Sequence, residues 1–206
     1  MIELLLKLFI WLNNFSYKII SSLVVRAHNG LHPKHRILDY HKFFTDNISE
    51  SDTVLDIGCG NGAVAYDLSR KAAKVTGIDI KPNNISIAKK RFANDNLDYI
   101  VGDAAQLASN EKFDVITLSN VLEHIENRVE LLSKIKNIAP KILIRVPLLT
   151  RDWLSVYKKE IGLEYRLDNT HFIEYTEENF KQEATKAGLT IESYYTKFGE
   201  LYSIIK

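Results

Sequence analysis

Residues 53–62, Thr-Val-Leu-Asp-Ile-Gly-Cys-Gly-Asn-Gly, restrict the fold more than any other stretch of the chain. Val54, Leu55 and Ile57 read as a short buried strand with Asp56 near its end. Gly58, Gly60 and Gly62 then give a turn whose backbone reaches positive φ and lets a ligand approach closely. A helix begins at Ala63. Strand, glycine turn and helix start, in that order, make a nucleotide cradle. Gly58-x-Gly60-x-x-Ala63 satisfies the dinucleotide fingerprint, which is a weak signal by itself. Asp56 discriminates better, because a carboxylate there repels a diphosphate but accepts hydrogen bonds from the ammonium group of an amino-acid-bearing nucleoside.

From Asp52 onward strand-like and helix-like segments alternate, which predicts a doubly wound α/β fold with a mostly parallel sheet. Lys74–Asp79 is the second strand. Its terminal Asp79 stands nineteen residues beyond Gly60, where an acid in such folds accepts hydrogen bonds from ribose hydroxyls. Pro82 opens a helix whose Lys89, Lys90 and Arg91 read as a solvated face. The third strand, near Leu97 to Val101, ends in Gly102-Asp103-Ala104, and the fourth, from Phe113, runs into Ser119-Asn120-Val121-Leu122-Glu123-His124. A helix from about Glu126 to Ala139 leads to a fifth strand ending at Pro147. Within that strand Arg145 is out of place: either it contacts an anionic substrate or it forms an internal ion pair. The long connection Leu148 to Tyr175 carries Trp153, Tyr157, Tyr165, His171 and Tyr175 and is the candidate substrate-facing lid. Thr176 starts a helix closed by Gly188, and a hairpin turning at 197–200 completes the chain.

Asp56-x-Gly58-x-Gly60-x-Gly62 resembles the first motif of the class I S-adenosylmethionine (SAM)-dependent methyltransferases, and the later motifs resemble those of the small-molecule type, in particular the quinone-biosynthesis O-methyltransferase group. The resemblance covers about residues 50–206. It implies a Rossmann-like sheet of seven strands whose last strand inserts antiparallel, and SAM as cofactor. It further implies cofactor contacts at Asp56, Gly58, Gly60, Gly62, Asp79, Ile80, Asp103, Ala104, Ser119 and Asn120. Asp103 would accept the adenine amino proton while the Ala104 backbone meets the ring, and Arg36 is the best-placed match for an arginine that holds the methionine carboxylate. Some members of the group set two glutamates and a histidine on a divalent metal. The matching positions here are Asn120, Glu123 and His124, and the missing carboxylate weakens a hard-cation site, so no metal is expected.

The remaining composition limits partners and setting. The 206 residues suit one SAM-binding domain, 51–206, with a helical extension over 1–50. Basic and acidic residues nearly cancel, 27 against 26, so no global field draws the chain to nucleic acid. Cys59 stands alone, which excludes an internal disulfide and suits a reducing cytoplasm. Met1 to Ala27 is the most apolar part. Glu3 and Lys7 interrupt it before an uncharged run reaches the roughly 18 residues of a membrane span, and Glu3 sits where a secretory signal wants basic residues. On a helix Glu3, Lys7, Asn14, Lys18 and Ser21 share a face, leaving Trp11, Phe15, Ile19 and Leu23 to be covered by the main domain, by a second copy in a homodimer, or by a membrane surface. The expected location is cytoplasmic, with the inner face of a membrane as the peripheral alternative. After an Asn29-Gly30 stop, Pro33 opens a helix with Ile37, Tyr40, Phe44 and Ile48 on one stripe. The nearby His28, His32, His35 and His41 read as solvated or substrate-facing rather than metal-binding.

SAM presents a methyl group on a sulfonium, so transfer needs alignment of acceptor, methyl and sulfur and the exclusion of water. A hydroxyl acceptor must lose a proton; His124 is the first candidate base and His171 the second, against the alternative that His124 only caps the next helix. The expected acceptor is a small-molecule, glycan or lipid-linked hydroxyl. Two rivals are a SAM-binding module without catalysis and an NAD-binding oxidoreductase, the latter disfavoured by Asp56 and by the want of a separate catalytic domain.

Overall fold

The computed structural model describes residues 1–28, 32–106 and 112–206. They form two compact units, Met1–Tyr40 and His41–Lys206.

In the first unit α1 spans Ile2–Ala27, and the Asn29-Gly30 stop lies outside the described residues. Ile10 is the one buried residue of α1, while Leu4, Phe9, Trp11, Phe15, Ile20 and Leu23 are exposed. Trp11 and Phe15 stack with ring centroids 5.4 Å apart, as a four-residue spacing on a helix allows. By length and composition this helix is sufficient to cross a membrane, a capacity that the interruptions at Glu3 and Lys7 do not remove. The single helix expected from Pro33 through Phe44 is two. Helix α2, Lys34–Leu38, ends at Asp39, which takes a left-handed φ of 49° that aspartate tolerates better than most residues. Ile37 on α2 is 54% exposed. Helix α3, Tyr40–Asp46, follows; its residues from His41 on belong to the second unit, where Phe43 and Phe44 are buried.

The second unit is the alternating fold. Its strands are β1 (Thr53–Ile57), β2 (Lys74–Asp79), β3 (Leu97–Val101), β4 (Val115–Ser119), β5 (Lys141–Pro147), β6 (Ile191–Lys197) and β7 (Glu200–Ile205). Between them run α4 (Ala63–Ser69), α5 (Pro82–Arg91), α6 (Arg128–Ile135), α7 (Trp153–Glu160) and α8 (Glu177–Lys186). The sheet order is β3-β2-β1-β4-β5-β7-β6. The first five strands are mutually parallel, and β7 lies antiparallel to both β5 and β6. The chain therefore winds outward from β1 to β3 and returns to the other side of β1 with β4. This leaves a topological switch point, where open α/β sheets bind ligands at the carboxyl ends of their strands.

Strands β1, β4 and β5 are largely apolar because both of their faces are covered, and Asp56, Thr117 and Arg145 are the polar exceptions within them. Leu55, Ile116, Leu118, Ile142 and Ile144 are removed from solvent and pack with Leu131, Leu132 and Ile135 of α6 and with Phe180 and Ala184 of α8. The terminal hairpin turns through Phe198 and Gly199, both left-handed (φ 51° and 73°), the pairing of dihedrals that suits the twist of a two-residue turn.

Candidate active site

At the carboxyl end of β1 the Asp56 side chain is buried. Its Oδ1 accepts a 2.7 Å hydrogen bond from the Thr117 hydroxyl on β4, across the switch point, and its Oδ2 has no hydrogen-bond partner. Burial pushes its pKa up to about 7, against the pull of the Thr117 hydrogen bond and of the charge of His41. The glycines that follow are all left-handed: Gly58 (φ 66°), Gly60 (φ 56°) and Gly62 (φ 88°). At Gly62 a Cβ would stand 2.4 Å from the Tyr99 hydroxyl, whereas at Gly60 it would meet no atom within 4 Å. Gly62 thus makes room for the protein's own packing, whereas Gly60 borders open space.

Asp79, at the end of β2, props this turn. Its Oδ2 accepts from the Gly60 amide at 3.0 Å, its Oδ1 accepts from the Lys81 amide at 2.8 Å, and the Asn84 amide group donates to both oxygens at 3.2 Å. Each carboxylate oxygen carries two lone pairs, so the bonds to the turn leave acceptor capacity for ribose hydroxyls. Ile80 next to it is 66% exposed, an apolar surface at the sheet edge. Asp103 and Ala104 follow β3 where a single 3-10 turn begins. The residues after Gln106 lie outside the described set until Lys112. Arg36 belongs to the N-terminal unit, and its assignment stays with the resemblance alone.

Beyond β4 the chain brings together groups that are distant in sequence. Asn120 is left-handed (φ 55°), and its buried Oδ1 lacks a partner. Glu123, in the 3-10 turn Leu122–His124, is fully buried with neither carboxylate oxygen hydrogen-bonded. Burial pushes its pKa up to about 8. His124 and His171 meet edge to face with ring centroids 4.5 Å apart. Burial, and then the neighbouring His171, hold the His124 imidazole below its usual pKa. Proton accounting sets both tautomers. The Thr170 hydroxyl donates its single proton to Asp168 at 2.8 Å, so at 2.9 Å it accepts from Nδ1–H of His124. His171 Nδ1 lies 2.8 Å from Oε1 of Glu174, a buried carboxylate that also accepts from Arg151 and from the Leu167 amide; it therefore donates there. In the neutral form of either ring Nε2 is then the nitrogen that carries the lone pair.

Two expectations for substrate residues need correction. Arg145 forms a two-pronged ion pair with Glu200 of β7 and donates to the Ser119 hydroxyl at 3.1 Å, which makes it an internal strut rather than an anion receptor and also engages Ser119. Tyr175 is buried, its hydroxyl donating at 2.6 Å to Glu183, which in turn pairs with Arg128; it ties α8 to α6. Trp153, 76% exposed, and Tyr157 sit on α7 with ring centroids 6.3 Å apart, while Tyr165 is half-buried under the ammonium of Lys159. Thr117, Asn84, Thr170 and Glu174 were not singled out from sequence. Thr117 alone carried a signal there, as a hydroxyl in the middle of an otherwise apolar strand.

A sheet wound in this order, with its last strand reversed and a glycine turn and two carboxylates at the switch point, has the class I methyltransferase architecture. The chain belongs to the methyltransferase-domain family, whose model matches residues 30–194. Among its relatives is the ubiquinone biosynthesis O-methyltransferase of Bartonella tribocorum, 37% identical over 118 residues that make up 55% of this chain and 48% of the relative. The enzyme of the same name from Rickettsia bellii is 30% identical over 142 residues, 66% of this chain and 59% of the relative. The chain thus spans about half the length of the curated relatives it matches. Among solved structures it is similar to a TehB-like SAM-dependent methyltransferase of Corynebacterium glutamicum (TM-score 0.64, 18% identity, covering 94% of this chain and 97% of that one). It is also similar to the magnesium protoporphyrin IX methyltransferase of Synechocystis PCC 6803 with bound S-adenosylhomocysteine (TM-score 0.61, 21% identity, covering 82% and 80%). At those identities the likeness is one of fold.

Proposed function

We propose that this chain is a SAM-dependent methyltransferase acting on an oxygen of a small-molecule acceptor. The observation that carries the reading is Asp56: a buried carboxylate at the switch point with one oxygen held by Thr117 and the other unpartnered, at the head of a turn of three left-handed glycines. An ammonium group supplies the missing donor, while a diphosphate would meet repulsion. SAM when bound supplies a methyl group on a sulfonium. Asp56 would hold its amino end, Asp79 would accept from its ribose while keeping the Gly60 amide in place, and Ile80 would offer an apolar face to its base. The acceptor hydroxyl would lose its proton to the imidazole of His124, whose Nδ1 is engaged by Thr170, with His171 packed edge to face against it. The names of the ubiquinone biosynthesis relatives support oxygen as the methylated atom.

Calorimetry tests the reading. SAM is expected to bind the wild-type chain and NAD not to; Asp56→Ala should weaken SAM at least tenfold. NAD binding with no SAM binding would defeat it.

The same proposal places α1 on a membrane surface, supported by its length, its exposed apolar side chains and its few charges. The full chain should then float with anionic liposomes, and a chain starting at His28 should not. Equal flotation of the two removes the membrane role, and dimerisation lost on truncation would favour a second copy instead.

A further inference from the structure

His124 is exposed, and a solvated neutral imidazole exchanges between two tautomers, of which the form protonated at Nε2 is the commoner in water. That form has no lone pair at Nε2 to offer an acceptor. We propose that Thr170 and Asp168, near the end of the 148–175 connection, are positioning residues for His124. They form a carboxylate–hydroxyl–imidazole chain that fixes the ring proton on Nδ1, keeps Nε2 as the basic atom, and compensates the charge the ring acquires. The chemistry of this role rests on the methyltransferase reading; the hydrogen-bonded chain does not.

Three contacts make the chain. Oδ1 of Asp168 accepts from both the amide and the hydroxyl of Thr170, each at 2.8 Å, which closes a turn over Asn169 and commits the only proton of the hydroxyl. A lone pair is what the hydroxyl has left, and Nδ1 of His124 lies 2.9 Å from it. The amide bond alone would close the turn; the hydroxyl bond is the one that decides which tautomer His124 adopts. The two bonds from Thr170 also hold the Asp168 carboxyl below its usual range, so it is ionised wherever an imidazole can act as a base. Backbone contacts keep the partners together. The Phe172 amide donates to the Glu123 carbonyl at 2.8 Å, and the His171 amide donates to the Asp168 carbonyl at 3.1 Å. His171 meanwhile lies edge to face on the His124 ring and restricts its plane.

Methyl transfer to a hydroxyl moves a charge. The acceptor oxygen bonds to the methyl carbon, the carbon–sulfur electron pair returns to sulfur, and the acceptor's proton passes to Nε2, so the positive charge that leaves the sulfonium reappears on the ring. Of the charged groups that face His124, Asp168 favours that charge, while Lys81 and a protonated His171 oppose it. A carboxylate behind an imidazole acts in the same two ways in hydrolytic triads, by fixing the tautomer and stabilising the imidazolium. Here a threonine hydroxyl stands between them.

The test is 15N NMR of the histidine rings of the full chain, recorded without SAM or acceptor and with His124 assigned by the signals lost in His124→Gln. In neutral His124 the proton is expected on Nδ1. Thr170→Val should move the tautomer ratio roughly threefold or more toward Nε2–H, and Thr170→Ser should restore it. Asp168→Asn, whose side-chain oxygen still accepts from the hydroxyl, should keep the wild-type tautomer. Labelled-methyl transfer is then measured on whichever of a panel of simple alcohols and phenols the wild type methylates. Thr170→Val and Asp168→Asn should each lower kcat roughly tenfold, with the acceptor KM and the SAM affinity little changed. Thr170 is exposed and its amide bond to Asp168 survives the substitution, so Thr170→Val should fold, with circular dichroism as the check. Nε2–H as the main form of wild-type His124, a wild-type tautomer ratio in Thr170→Val, or unchanged kcat in both variants would overturn the proposal. The spectra need neither SAM nor acceptor, so a chain that binds no SAM defeats the methyltransferase reading while the tautomer result stands or falls by itself.

Discussion

At Asp56 one oxygen is bonded and the other waits for a donor, and this asymmetry has a pH signature. Burial holds the acid near 7, and the ionised form is the one that accepts an ammonium, so SAM affinity should rise from pH 5.5 to 7.5. The rise should approach tenfold per pH unit below 7 and turn over near pH 8, where the ligand's own α-amino group deprotonates. Calorimetry across this range measures it, and Asp56→Asn should flatten the acidic limb. The glycines next to it differ in what they demand. In Gly62→Ala the new Cβ would lie 2.4 Å from the Tyr99 hydroxyl and 2.8 Å from the Ala88 Cβ, at a φ of 88°. Crowding and left-handed strain add to about 2–4 kcal/mol, read from urea midpoints. Gly60→Ala meets no atom and should cost only the strain of about 1 kcal/mol, while weakening SAM. Alternate glycines after an acid were visible in the sequence because backbone freedom belongs to the residue itself. Thr117 and Asn84, which hold the two acids in place, were not, because their role depends on neighbouring strands and helices.

Between elements, the pairing of β5 with β7 decides what Arg145 does. The register sets Arg145 opposite Tyr202 and Pro147 opposite Glu200, so Glu200 reaches diagonally to the guanidinium. Both side chains are mostly buried. Glu200→Gln should therefore strand a buried cation and cost about 3–5 kcal/mol, whereas Arg145→Met combined with Glu200→Leu should recover most of that loss; chemical denaturation of the three proteins checks it. From sequence, Arg145 remained open between a substrate contact and an ion pair, because nothing local reports which strand will lie beside it. The strands themselves were legible as apolar runs closed by glycine or an acid. The break at Asp39 was not: the apolar stripe continues through it, and a left-handed aspartate overrides the periodicity.

For the molecule as a whole, buried acids set the direction of its response to pH. Asp56 at about 7 and Glu123 at about 8 are both raised, so the stability they favour is present at low pH and is lost as pH rises through those values. Hydrogen bonds from Thr53 lower Asp114, and those from Arg166 lower Glu164 to about 2; their contribution is present above the ordinary carboxylate range and is lost in acid. The urea midpoint should therefore be highest in mildly acidic solution, fall between about pH 5 and pH 8 and level off above, and a flat profile over that interval would contradict the assignment. Hydrophobic periodicity, glycine spacing and the acids closing two strands were enough to set out the alternating fold and its cofactor edge, since each depends on a few adjacent residues. Which partner Arg145 takes, that Tyr175 is a core residue, and that His124 finds Thr170 46 residues away beside the orphaned Glu123 were decided only in three dimensions. Such meetings follow from strand register and the path of long connections, where interactions remote in the chain select among many locally equivalent arrangements.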